Sequence, residues 1–470
     1  MFRCRTGLSA DPPTLTPISR FIARHDLDIP IPRWHQKTPN IRTCPFILLG
    51  PRLTFCRPRA WLVIFGAFTC AFCTVGFMNS FGIFQEYYAK NQLASDSAST
   101  IAWLGAISIL FLFGISVVSG AMLDMFGPKL MVYSGSVGMV FALMMISLCH
   151  KFYQFLLAQG VLLGISMALS TWPMLALVGQ YIKVKRAAAL GIVLAGSSLG
   201  GVIWPIVIDR LLKNPKIGFP WTMRIVGFIM IPLFIFSCVA AKSPETQMQG
   251  VESASPEPTE SKAVDGPGMK QQRKAQALAL FRQPALRLLC LAVFIIYFGM
   301  FAPFFYTTSY AVEMGFSTTL AFYTVSIVNG ASFFGRILPG IVADRYGKFN
   351  CCILATISAG LIALCWTKVT SVAGLVLWCA AYGFASGGIL SLQQACAAQV
   401  ATSGTLGLAI GSVSGSAALS AMANVPISGA LVEKYGYLSL SIFSGVSLLV
   451  GGVLLIAARL VQNKNLHAIV

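Results

Sequence analysis

The chain has 470 residues, 56% of them hydrophobic and 10% charged, with a mean hydropathy of +0.75. Soluble proteins carry about 25% charged residues, so water-soluble domains, a disordered chain and a secreted disulfide scaffold are all excluded. The net charge of +19 raises nucleic acid as a partner, and the placement of the charges decides against it.

A helix crosses a bilayer with roughly 20 predominantly apolar residues. Residues 1–59 hold ten Lys and Arg and read as a solvated cytoplasmic tail, with no apolar stretch of the kind a secretory signal needs. Apolar runs follow at 60–84, 100–123, 129–149, 153–178, 187–209 and 222–241. Residues 242–285 then carry Pro244, Pro256, Pro258 and Pro267 and five acids from Glu245 to Asp265, a solvated cytoplasmic linker. A short surface helix is expected over 270–283. Apolar runs resume at 286–312, 318–341, 350–366, 371–392, 404–431 and 437–459, and 460–470 forms a second tail. The sequence thus predicts an all-α polytopic membrane protein. Its twelve transmembrane helices form an N-terminal six-helix bundle over 60–241 and a C-terminal one over 286–459.

Lys and Arg gather on the cytoplasmic side of membrane proteins. With the N-terminus inside, 26 of the 34 fall on inner segments and 8 on outer ones, so both termini are expected in the cytoplasm. The positive charge is a topology signal, and no nucleic-acid partner is expected. Of the 13 cysteines, none pairs with another in an outer loop, where oxidation would be expected. There is no Walker loop, no G-x-S-x-G and no metal-spaced His pair, so no enzyme, metal or cofactor is expected.

A motif occurs twice. Gly120, Asp124, Gly127 and Lys129 join the second and third runs, and Gly340, Asp344, Arg345 and Gly347 join the eighth and ninth, with the two Asp 220 residues apart. Both copies read G-x-x-x-D-x-x-G, then a basic residue one or two positions on, Lys129 in the first and Lys348 in the second. The physical logic is a tight inner turn: Gly for close approach, Asp and a cation to latch one helix end to its neighbours. This pattern resembles the signature loop of the major facilitator superfamily, over roughly residues 60–460. Tyr181 to Gly191 with Ala195 to Gly201, and Arg59 to Leu62 with Asn79 to Tyr88, are similar to monocarboxylate porter-like proteins of fungi. The resemblance implies two bundles that rock about a central cavity. The family's acidic-Gly-Gly segment before the first helix is replaced here by Arg57-Pro58.

None of the fifteen acids lies at the centre of a run, and the four histidines lie outside the helices. A central proton-coupling carboxylate is therefore lacking. The one charge well inside a run is Arg336, and intramembrane charges default to function. The resemblance implies an Asp four residues before this Arg and a Lys late in the first helix; Ser332 and Met78-Asn79-Ser80 stand there instead. Arg336 is the expected solute contact, the alternative being a gate closed on Asp124, Asp344 or a carbonyl. Asn329 lies two helical turns before it on the same face, and Asn79, Tyr306 and Asn424 complete the expected substrate-binding set, with Trp172, Tyr310, Gln393 and Gln394 as further candidates for the cavity lining. Glycines at four-residue spacing, such as Gly407, Gly411 and Gly415, are expected to allow close helix packing. The expected function is a secondary carrier for a small, carboxylate-bearing solute, or an exporter of a secondary metabolite. It is expected to work as a monomer in the plasma membrane, with the lipid bilayer and a small solute as its partners.

Overall fold

A computed structural model describes residues 58–242, 267–402 and 404–464. The expected tails up to residue 57 and from 465, and the acidic part of the linker, lie outside the described residues. Ten helices are long and apolar enough to cross a membrane. In chain order the elements are α1 (Pro58–Lys90), α2 (Ser99–Phe126), α3 (Pro128–Ile146), α4 (Phe152–Tyr181), α5 (Arg186–Leu212), α6 (Gly218–Ala240), α7 (Pro284–Glu313) and α8 (Thr318–Tyr346). The shorter apolar helix α9 (Lys348–Leu364) and α10 (Val372–Val400) follow. The last stretch, Leu406–Gln462, turns at Gly436, whose φ of 76° suits only glycine without strain. It divides into α11 (406–435) and α12 (437–462). These make twelve helical segments, matching the twelve apolar runs. The helix Pro267–Arg282 precedes α7, where a surface helix is expected.

The outside of the protein is apolar. Phe126, Leu130, Val137, Leu354, Leu377 and Val453 are all exposed, a surface that only lipid solvates well. Many polar side chains inside are tied to backbone carbonyls, as a medium without water favours. Trp204 donates its ring N–H to the Phe72 carbonyl (3.0 Å), and the Tyr382 hydroxyl donates to that of Met300 (2.7 Å).

Several helices are interrupted. α1 breaks at Thr74 and again at Asn79 and Ser80, and α7 breaks at Phe301. Residues 80 and 301 are separated by nearly the interval between the two Asp of the repeated motif, so the break belongs to the repeat. Freed carbonyls at such points need donors, and Asn424 on α11 supplies one to Phe298, a turn before the α7 break.

The two halves of the chain meet along α2 with α11 and α5 with α8. Glycine sets how closely. A Cβ on Gly120 or Gly411 would run into the backbone of Gly407 or Ser116, and one on Gly191 or Gly340 into that of Arg336 or Ala187. Both pairs of helices touch backbone to backbone, in the same manner at repeat-related places.

Candidate solute cavity and its closed face

The repeated motif closes one face of the molecule. Asp124, at the end of α2, accepts hydrogen bonds from the backbone N–H groups of Gly407 (3.0 Å) and Leu408 (2.8 Å) at the start of α11. Asp344, at the end of α8, accepts from Ala187 (3.0 Å) and Ala188 (2.9 Å) at the start of α5. Each carboxylate therefore sits on the positive end of a helix from the other half. The first glycine of each motif permits the approach. The last, Gly127 with φ 76° and Gly347 with φ 96°, supplies the left-handed turn that ends the helix.

The cations of the motif divide between solvent and latch. Lys129 and Arg345 are exposed, and the charges felt by Asp344 come from Lys348 and Lys185. Arg186 reinforces the same face by donating to the Ala398 carbonyl of α10 (2.8 Å).

Above this closure lies a cavity of about 1050 Å³ between the halves. It opens toward the helix ends opposite the motif turns, past Glu86 with Lys90 (2.6 Å) and Asp209 with Lys213 (2.8 Å). One wall is aromatic and continuous across both halves. Trp172 packs on Phe113 (5.6 Å between ring centroids), Phe113 on Tyr297 (5.4 Å), Tyr297 on Phe301 (5.3 Å) and Phe301 on Phe304 (6.2 Å). All five rings line the cavity. The facing side and floor are polar, built from Asn79, Asn329, Ser197, Arg336, Gln393 and Gln394.

Arg336 lies at the floor, 4% exposed. Its Nε donates to Ser332 Oγ (3.3 Å), and its Nη1 donates to the Leu194 carbonyl and to Ser197 Oγ on α5. Among the described residues no carboxylate lies within ion-pair distance of it. Ser332 thus occupies the place where the resemblance implies an aspartate, and a carbonyl of α5 takes up the charge. A buried guanidinium without a counter-ion is expensive, and an anion in the cavity is its natural complement.

Of the other expected contacts, Asn329 and Asn79 line the cavity and meet each other from opposite halves (3.4 Å). Gly201 leaves them room, since a Cβ there would strike both side chains at 2.6–2.8 Å. Tyr306 and Asn424 do not line it. The Tyr306 hydroxyl donates to the Val425 carbonyl (3.1 Å) and Asn424 Nδ2 to that of Phe298, so both clamp α7 to α11. A polar side chain in an apolar helix must find a partner, and here a broken helix supplies it. Asn424→Ala should accordingly lower stability by about 1–3 kcal/mol, read as a fall in Tm, and leave the Kd of a bound solute within about twofold. The rings of Phe113, Tyr297, Phe301 and Phe304 were not read from the sequence. Their signal is the spacing of 297, 301 and 304, which follows one helical face.

The Major Facilitator Superfamily profile matches residues 60–401. An MFS-type transporter of Aspergillus fumigatus is 43% identical over 409 residues, covering 87% of this chain and 93% of that protein. The agnestins efflux protein of Paecilomyces divaricatus is 43% identical over 87% of this chain and 89% of its own. The aspyridones efflux protein of Emericella nidulans is 40% identical over 86% and 78%. Among solved structures, the human organic anion transporter MFSD10 superposes with a TM-score of 0.62 at 17% identity, over 85% of this chain and all of that one. At that identity the likeness concerns the fold alone. Twelve helical segments, a twice-used G-x-x-x-D-x-x-G closure and a cavity between two halves agree with these matches, and the chain belongs to the Major Facilitator Superfamily as a multi-pass membrane transporter of small molecules.

Proposed function

We propose that the protein exports an amphipathic aromatic acid, a secondary metabolite made inside the cell, across the plasma membrane as a monomer. The observation that carries this reading is the cavity itself: five rings in tilted and edge-to-face contact on one wall, and a buried Arg336 with no carboxylate partner among the described residues at the floor. Ligand sites are mostly apolar with a few placed polar groups, and a flat aromatic body with one anionic end fits both. The cavity is far larger than acetate or lactate requires, which favours export of a bulky solute over import of a small monocarboxylate. The efflux proteins among the relatives, named for agnestins and aspyridones, support the same direction.

The driving force follows from charge. The acids that line the cavity, Glu86 and Asp209, stand at its mouth and are paired with lysines, so the lining offers no central carboxylate to carry a proton. A monoanion leaving a cell whose interior is negative gains about 2.3 kcal/mol per 100 mV. Export of the anion alone can therefore run on the membrane potential.

The test is efflux of 2-naphthoate and of acetate from vesicles holding the full chain, against protein-free vesicles, under an imposed potassium diffusion potential or an imposed pH gradient. Faster 2-naphthoate exit by at least about tenfold, rising when the interior is made negative, is the expected result. Exit that needs a proton gradient and ignores the potential would establish coupled exchange. Acetate as the preferred solute would establish a small-monocarboxylate porter.

A further inference from the structure

Two side chains that border the cavity carry acceptors that nothing among the described residues satisfies. Gln393 and Gln394 on α10 are 2% and 1% exposed, and both border the cavity. Their donor ends are committed. Gln393 Nε2 donates to the Tyr297 hydroxyl (2.7 Å) and Gln394 Nε2 to Ser414 Oγ (3.0 Å). Their carbonyl ends are buried, and neither Oε1 has a hydrogen-bond partner. Buried polar groups are almost always paired, and an exception calls for an explanation.

The arrangement is selective in sign. Arg336 is a donor-only group and carries a charge whose field reaches Tyr297, the residue to which Gln393 is bonded. The floor therefore places a cation for an acceptor near two cavity-lining side chains whose carbonyl oxygens, buried in this conformation, still lack a donor. A plain carboxylate meets the first demand and leaves both oxygens unpaired. Worse, an anionic oxygen set against an amide carbonyl is repelled. A head group carrying an acidic oxygen together with an O–H or N–H meets both demands.

We infer that Gln393 and Gln394 select solutes whose anionic head group also bears a hydrogen-bond donor, so that hydroxy-acids, acidic enols with a neighbouring O–H, and N–H acids are carried in preference to simple aromatic carboxylates. This rests on the aromatic-acid reading above and adds a second criterion to it. A site built to bond a donor rejects the analogue lacking it more strongly than an apolar pocket rejects a missing methylene, because its own polar groups are then left unpaired.

The experiment measures binding to the full chain in lipid nanodiscs. The probes are 2-naphthoate, its 3-hydroxy and 6-hydroxy derivatives, and the methyl ether of each, the two isomers sampling two separations between acid and donor. At least one hydroxy-acid is expected to bind about tenfold more tightly than its own ether. In Gln393→Leu or Gln394→Leu that ratio is expected to fall toward one. The ratio is internal to each variant, so a general change in affinity does not mimic the effect, and any measurable binding of the ether shows that the variant is folded. Equal affinities for hydroxy-acid and ether in the parent, a preference for the ether, or a ratio that survives both substitutions would overturn the inference while leaving the aromatic-acid reading standing. Failure of all five probes to bind the parent would overturn that reading and this inference with it.

Discussion

Arg336→Ala is expected to slow efflux of an aromatic acid by about 10- to 150-fold, the loss that follows from removing charged hydrogen bonds worth about 1.5–3 kcal/mol. The residue is buried on the cavity floor, with Nε and Nη1 engaged and no carboxylate beside it. Its remaining nitrogen is available to a solute anion. Arg336→Lys keeps the charge and loses the planar fork, so an intermediate rate is expected. Since Arg336 also joins α8 to Leu194 and Ser197 of α5, a structural loss must be told apart from a lost contact. Efflux of 2-naphthalenemethanol, which has the same ring and no charge, makes the distinction. It should be nearly unaffected in Arg336→Ala, and an equal slowing of the alcohol and the acid would assign Arg336 to helix packing alone.

Gly120→Val is the second large effect. A Cβ at Gly120 collides with the backbone of Gly407, and carbonyl and peptide atoms have no rotamer to retreat into. α2 and α11 must move apart, which also pulls Asp124 from the N–H groups of Gly407 and Leu408. Transport is expected to fall by more than about tenfold, and amide hydrogen exchange over 405–412 to rise, because that helix start has lost its cap and its cover. Asp124→Asn should be milder: it keeps one acceptor, gives up a charge–dipole contribution of about 0.3–1 kcal/mol, and turns its amide nitrogen toward one of the two backbone N–H groups that the carboxylate served. Normal transport and unchanged exchange in Gly120→Val would show that this close approach is no part of the working cycle.

The sequence carried much of this because membranes are strict solvents. Twelve apolar runs became twelve helical segments, since only helices and closed barrels satisfy their backbone hydrogen bonds in lipid and runs of about 20 apolar residues suit helices. Arg336, Asn329 and Asn79 stood out as polar groups in apolar helices, and the structure brings them to one cavity. The same criterion picked Tyr306 and Asn424, which serve carbonyls between α7 and α11 instead. A polar side chain announces that it has a partner and does not say whether that partner is a solute or a broken helix. The break at Phe301 does have a local signal, Gly299 before it and Pro303 in the first turn after it, since a proline has no N–H to bond the carbonyl four residues back. The motif's Asp was legible as a latch, but its partners lie 283 and 284 residues away for Asp124, a distance that local pattern does not bridge. Of the motif's cations, Lys348 lies close enough to act on Asp344, whereas Lys129 and Arg345 face outward. Aromatic rings in a membrane helix can face lipid or cavity with the same composition, so the wall from Trp172 to Phe304 emerged only with the fold.

The bonds from Arg336 to Leu194 and Ser197 carry one more consequence, for the release step. An acid bound in the cavity must compete for the guanidinium with two acceptors covalently attached to α5, and a tethered competitor acts at a fixed, high effective concentration. In the conformation seen here, closed at the motif face and open at the other, the protein is its own displacing ligand. It weakens the hold on an outgoing anion without any input of energy at that moment. In the alternate conformation, once α5 and α8 part, that competitor is withdrawn and affinity rises. A carrier with this wiring holds an anion less tightly in the conformation seen here than in one where α5 and α8 have parted. One arginine and two acceptors on α5 set that difference, while the membrane potential supplies the net driving force.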